Sequence, residues 1–102
     1  MDDFEKRSSQ ALQKLFDGLQ DDVEVDLEGG VLTIEFDDGS KFLVNQHAAS
    51  QQIWLSANMA ASHFAWHEPT QSWRDTKSGA ELFTELGRLV AEKLSVPVKL
   101  RD

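Results

Sequence analysis

Val23-Glu24-Val25-Asp26-Leu27-Glu28, Gly29-Gly30, Val31-Leu32-Thr33-Ile34-Glu35-Phe36, Asp37-Asp38-Gly39-Ser40 and Lys41-Phe42-Leu43-Val44-Asn45 read in succession as strand, turn, strand, turn, strand. In the first run apolar and carboxylate side chains alternate, the period-two pattern of a half-buried strand. Gly29-Gly30 interrupts that period, and the Asp38-Gly39 pair favours a tight hairpin. Two hairpins in a row make an antiparallel meander. Gln51-Gln52-Ile53-Trp54-Leu55-Ser56 and Ser62-His63-Phe64-Ala65-Trp66-His67 extend it, and Gln71-Ser72-Trp73-Arg74 adds a short edge.

On the N-terminal side the period changes. Phe4, Ser8, Ala11, Leu12, Leu15 and Leu19 recur at spacings of three and four, which predicts a helix over about residues 3–20. Asp2 and Glu5 resemble a capping box, and Gly18 is expected to fray the last turn. On the C-terminal side Ser78-Gly79-Ala80-Glu81 has the S-x-x-E form of a capping box. It is expected to open a second helix with Leu82, Phe83, Leu86, Leu89, Val90 and Leu94 on one stripe, ending before Pro97. The tail Val96-Pro97-Val98-Lys99-Leu100 is apolar enough to dock. The expected fold is α+β: a two-layer α/β sandwich with the order helix, antiparallel meander of five or six strands, helix, and both helices on one face of the sheet. Residues 1–102 form one domain in this reading, without repeats or linkers.

Alternation then sorts the side chains. Leu32, Ile34, Phe36, Phe42, Val44, Ile53, Leu55, Phe64 and Trp66 are expected to face the helices, with Trp73 also in the core. Thr33, Glu35, Leu43, Asn45, Gln52, Trp54, His63 and Ala65 are expected on the open face. A Trp54 among polar neighbours on an uncovered sheet marks a binding face, unless the alternation slips and buries it.

Composition narrows the chemistry. The chain has 102 residues, 18 Asp+Glu against 10 Lys+Arg and a net charge of −8. That acidity argues against nucleic acid, whose phosphates need a basic patch. With no cysteine there is no disulfide, thiol nucleophile or thiolate metal ligand. No apolar run approaches the 18 or so residues of a membrane span, and Met1-Asp2-Asp3-Phe4-Glu5 lacks the basic start of a targeting peptide. A soluble cytoplasmic domain is expected.

The charge is unevenly placed. Between Lys14 and Lys41 no basic residue occurs, yet Asp17, Asp21, Asp22, Glu24, Asp26, Glu28, Glu35, Asp37 and Asp38 fall there. Asp17 and Asp21, four apart, are expected to share the end of one helix face. Glu24, Asp26 and Glu28 alternate along a strand at about 6–7 Å, inside a Debye length of about 8–10 Å, so they repel. Such a ridge offers hard oxygen ligands to a cation, or a docking strip to a basic partner. A plain solvated acidic surface is the third reading. A ridge encloses little, so the metal sites expected are weak, multiple and hydrated.

Histidines add no metal centre. His63 and His67 sit on a strand, where four residues span about 13 Å, too far to share one ion. His47 is expected in a loop with Gln46. No nucleophile elbow, Walker motif, dinucleotide glycine motif or EF-hand pattern occurs. A binding module is expected, not an enzyme.

The segments Gly30-Val31-Leu32-Thr33-Ile34-Glu35-Phe36, Asp38-Gly39-Ser40-Lys41, Val44-Asn45, Gln52-Ile53-Trp54-Leu55-Ser56, His63-Phe64, Trp73-Arg74-Asp75 and Ser78-Gly79 together resemble the frataxin family in its short bacterial form. The resemblance runs in order over nearly the whole chain, and its hairpin followed by Gln-x-Trp-Leu-Ser is its most specific part. It implies the same helix–strands–helix fold and an iron-binding role in iron–sulfur cluster assembly. Carried over residue by residue, it implies weak binding of ferrous and ferric iron at Asp17, Asp21, Asp22, Glu24, Asp26 and Glu28, with other divalent cations possible. It also implies docking on the cysteine desulfurase and scaffold protein, through the same ridge (Asp22 and Glu24 among it) and through Asn45, Gln52, Trp54 and His63. Gly18 and Gln20 interrupt the acidic run, so fewer ions are expected than in denser members. A tail reaching Asp102 would lie between the helices and lend stability. A mainly monomeric regulator without catalytic residues is expected; a ferroxidase or iron-storage activity, or an acidic decoy for a basic protein, are the alternatives. A di-iron oxidation centre usually needs Glu-x-x-His ligands within a bundle, and the sequence has none.

Overall fold

The computed structural model describes residues 3–100. Helix α1 (Asp3–Leu19) is followed by strands β1 (Glu24–Glu28), β2 (Val31–Glu35), β3 (Lys41–His47), β4 (Gln52–Ala57), β5 (Ala60–His67) and β6 (Ser72–Asp75), then helix α2 (Leu82–Leu94). The six strands form one antiparallel sheet in chain order, so β1 and β6 are its edges.

The buried residues of α1 are Phe4, Ser8, Ala11, Leu12, Leu15 and Leu19, the stripe that its periodicity marks. They meet Leu82, Phe83, Leu86 and Val90 of α2 and the inward row Leu32, Ile34, Phe36, Phe42, Val44, Ile53, Leu55 and Phe64 in a single core. Trp73 is in that core, 2% exposed. Trp66 is inward-facing but half-covered: its ring packs edge-on to Trp73, and the Arg7 guanidinium lies 4.7 Å from the Trp66 ring centre. Its indole N–H donates to the Glu68 carboxylate, which keeps the ring at the border of the core rather than inside it.

Several local expectations are corrected. Strand β3 runs on through Gln46 and His47 instead of ending in a loop at Asn45. Gln46 explains why. Its backbone N–H donates to the Gly30 carbonyl at 3.0 Å, and its side-chain amide reaches the buried Ser8 hydroxyl of α1 at 2.7 Å. A side chain on Gly30 would overlap the Gln46 Oε1, so this latch needs glycine there. At Asp37–Gly39 the expected tight hairpin forms: Gly39 takes a positive φ, and its N–H donates to the Phe36 carbonyl. A three-residue loop closed by a left-handed glycine results.

Helix α2 is capped by Glu81, not by Ser78. The Glu81 carboxylate accepts from the backbone N–H groups of Phe83 and Thr84 at 2.8 and 3.0 Å. Gly18 lies inside α1 and makes room for the tail: a side chain there would stand 2.9 Å from Leu100 Cδ2. Gly87 of α2 is similarly close to the Val98 carbonyl, so Val98 and Leu100 pack against both helices. The expectations for Asp2 and Asp102 fall outside the described residues.

The last turn of α2 is tied to the β2–β3 hairpin by Lys93 Nζ, 2.8 Å from Asp38 Oδ2. That bond, followed by those from Ser40, holds the Asp38 carboxyl well below the usual carboxylate range. A depressed folded-state pKa stabilises above the unfolded value of about 3.9 and loses its effect as pH falls through the folded value. Asp38→Asn should therefore lower the melting temperature at pH 7, modestly because the pair is exposed, and the gap should narrow progressively below about pH 4. Thermal melts of both proteins across pH check this.

Candidate metal- and partner-binding face

The acidic ridge begins where α1 stops. Asp17 lies on the exposed side of α1, and Gln13 Nε2 donates to its carboxylate at 3.0 Å. Asp21 is not on the helix. The Asp22 and Val23 N–H groups both donate to the Leu19 carbonyl, closing a turn that carries Asp21 and Asp22. The two aspartates four apart therefore do not share a helix face. Glu24, Asp26 and Glu28 follow on β1, all exposed, while Val25 and Leu27 between them are half-buried against the core.

Among the described residues no ion pair neutralises the ridge. Between described residues the ion pairs are Arg7–Glu68, Arg88–Glu85, Arg88–Glu92 and Lys93–Asp38. Among the described residues no Lys or Arg stands at ion-pair distance from Asp17, Asp21, Asp22, Glu24, Asp26 or Glu28. The last turn of α1 has no basic residue either, so the negative end of its dipole adds to the same potential. Glu24 is paired in register with Glu35, a like-charge cross-strand pair that costs rather than contributes stability. Lys41 is the nearest cation in that row, one strand further on.

The donor set is entirely oxygen, which suits hard cations and iron. Among the described residues no three His, Asp or Glu side chains converge closely enough to chelate one ion. The ridge can therefore hold cations that keep much of their water, or meet a basic surface. Because β1 is a free edge, its row of carboxylates also keeps that edge from pairing with other strands. His63 and His67 both lie on β5, as expected for a strand, and His67 is engaged with Thr70.

The second group sits in the middle of the open face. Asn45, Trp54 and His63 are in register across β3, β4 and β5, and Gln52 is the next outward residue of β4. All four are half-buried. Trp54 Nε1 donates to Gln52 Oε1 at 2.9 Å, and the Trp54 ring stacks on His63 with centres 4.3 Å apart. His47, at the end of β3 and not in a loop, stacks on Trp54 at 3.7 Å. Continuing the alternation Leu43, Asn45 by two more residues was the available signal.

The β1 carboxylates of the ridge and the stack share the open face of the sheet. The register row runs Glu28, Val31, Asn45, Trp54, His63, so Glu28 and Trp54 stand three strands apart, about 14 Å.

The comparisons place this arrangement among known proteins. Residues 1–96 match the family model described as a frataxin-like domain. The chain is similar to the iron–sulfur cluster assembly protein CyaY of Dechloromonas aromatica, with 39% identity covering 99% of this chain and 100% of that protein. The protein of the same name from Ralstonia nicotianae is 36% identical over 92% of this chain and 81% of its own length. Among solved structures, the Psychromonas ingrahamii frataxin of the CyaY family superposes with a TM-score of 0.88 at 25% identity, covering 97% of this chain and 95% of that one. A trimeric frataxin from Saccharomyces cerevisiae, complexed with ferrous, shares the fold at a TM-score of 0.63 and 23% identity, over 91% of this chain and 83% of that one. No helix among the described residues is long and apolar enough to cross a membrane.

Proposed function

The chain belongs to the frataxin-like family, and from that premise we propose that it is a non-catalytic iron-binding protein that modulates iron–sulfur cluster assembly. The observation that carries this reading is the exposed run Asp17, Asp21, Asp22, Glu24, Asp26 and Glu28, left without an internal cation among the described residues. Its bacterial relatives carry the name iron–sulfur cluster assembly protein, and the yeast neighbour was solved in a ferrous complex. Both facts concern those proteins, and they support extending the role to this one. Iron, as Fe2+ or Fe3+, is cargo held weakly by the ridge carboxylates; other divalent cations compete for the same oxygens.

The same ridge, Asp22 and Glu24 included, steers the protein onto a basic surface of the cysteine desulfurase. Asn45, Gln52, Trp54 and His63 then contact the desulfurase–scaffold complex. Iron on the ridge reduces the charge available for docking, which makes the effect on cluster formation iron-dependent. In this reading the protein works mainly as a monomer in the cytoplasm.

Anaerobic addition of Fe2+ during NMR should perturb residues 17–28 first, with fast exchange typical of weak sites. Shifts elsewhere with a silent ridge would count against iron binding there. A cluster-assembly assay with and without the protein, at several iron levels, tests the role itself. The rate should change, and the change should depend on iron; a rate indifferent to the protein at every level ends this proposal.

A further inference from the structure

The partner-docking reading above is the basis for a narrower inference, about what the centre of the open face recognises. Trp54 on β4 has a parallel ring on each side. The His47 ring, from β3, is 3.7 Å away and 8° from parallel, and the His63 ring, from β5, is 4.3 Å away and 16° from parallel. Because the two come from the strands flanking β4, they cover opposite faces of the indole. Two further contacts fix the set. Gln52 Oε1 accepts the indole N–H, and Ser50 Oγ is 2.7 Å from His47 Nδ1, which leaves His47 Nε2 as the unengaged ring nitrogen.

A single exposed tryptophan on a docking surface ordinarily offers its negative π-face to a guanidinium or an aromatic ring. Here both faces are taken. What the stack turns outward is its rim, where ring C–H and N–H groups are the positive edge of each aromatic system. The surroundings agree in sign. Arg74 lies on this face, in the row of Gln52 and Ala65, and the carboxylate of the stack's own register row, Glu28, is about 14 Å distant.

We infer that His47 and His63 close the Trp54 faces against stacking, so that the centre of the sheet recognises hydrogen-bond acceptors, backbone carbonyls or carboxylates, through the imidazole rims. The partner is a protein surface with basic residues against β1 and acceptor groups about 14 Å away against β3–β5. His47 is both a positioning residue for Trp54 and a donor in this scheme. The split of charge across one face also fixes the docking direction, since a partner rotated by half a turn would set its acceptors on the carboxylates.

Binding to the purified cysteine desulfurase–scaffold complex tests this with His47→Phe, His47→Ala and His63→Phe, alongside Asp22→Lys. His47→Phe keeps a ring on the indole and removes the donor. The Trp54 indole N–H resonance of the free protein should stay near its natural position, while binding weakens roughly three- to tenfold. His47→Ala opens the face; that resonance should move, and binding should weaken at least as much. His63→Phe should behave as His47→Phe does. Natural affinity in both phenylalanine variants, or tighter binding by His47→Ala, would overturn the inference. If Asp22→Lys weakens binding while the histidine variants do not, the docking proposal stands and this inference fails. If the natural protein does not bind the complex, both fail together.

Discussion

Replacing Trp73 by alanine should remove about 3–5 kcal/mol of stability, whereas replacing Trp54 should cost only about 1–2 kcal/mol. The two tryptophans lie on opposite faces of the same sheet, and the difference follows from what surrounds each. Trp73 is 2% exposed. Its ring meets Phe4 edge-on at 5.8 Å and Trp66 edge-on at 5.5 Å, so it joins the first turn of α1 to the β5–β6 edge. Truncation there leaves a void between the Phe4 and Trp66 rings, and the cavity adds to the lost transfer energy. Against a total stability of about 5–15 kcal/mol for a domain this size, the variant should be on the verge of unfolding at 37 °C. Trp54→Ala loses only the stacking with His47 and His63 and one hydrogen bond to Gln52, on a face that water already reaches. It should stay folded, keep the iron response of residues 17–28, and weaken the desulfurase–scaffold complex. Urea unfolding of both variants, read by circular dichroism, decides the first half. A Trp73→Ala loss under 1 kcal/mol would mean that the core is not built around that ring.

The contrast between these tryptophans was legible in the sequence because alternation is local. Ile53 and Leu55 flank Trp54, and once they face inward Trp54 cannot. The same locality made the stripe of α1 and the carboxylates of β1 readable. What escaped was fixed by partners distant in the chain. Strand β3 continues through His47 because Gln46 is bonded to Ser8, which lies 38 residues earlier, and no local pattern announces that bond. The start of α2 is set by distant partners in a related way. Asp75 closes a loop by accepting from the Lys77 and Ser78 N–H groups, and Glu81 forms a bridge with Arg74 of β6. Sheet pairing therefore sets the first residue of the helix, and the S-x-x-E motif, correct as a pattern, marks a loop. The ridge itself shows the limit of counting charges. Asp38 belongs to the same acidic run as Asp22, yet Lys93, 55 residues later, neutralises it. Only the fold separates acids that are spoken for from acids that are not.

That separation gives the ridge prediction its control. Asp22→Lys with Glu24→Lys should slow association with the desulfurase by about 10- to 100-fold at low salt, with a much smaller change in dissociation. Steering depends on long-range potential, so the gap should shrink steadily as salt rises and nearly vanish near 1 M, where the Debye length is about 3 Å. Folding should not suffer. Relief of a like-charge pair is worth about 0.2–0.5 kcal/mol, and a lysine at position 24 would oppose Glu35 across the β1–β2 ladder instead of repelling it. The double variant should therefore melt at the natural temperature or slightly above it. Asp38→Lys is the counterpart of either single reversal, Asp22→Lys or Glu24→Lys: the same charge change, placed where it breaks the bond to Lys93, should lower the melting temperature and leave the association rate much less affected than either. A surface that served only solubility would make the two variants alike in binding, both indifferent. Measured by stopped flow at several salt concentrations, slow association and higher stability in the same protein is the signature of carboxylates kept unpaired for a partner rather than for the fold.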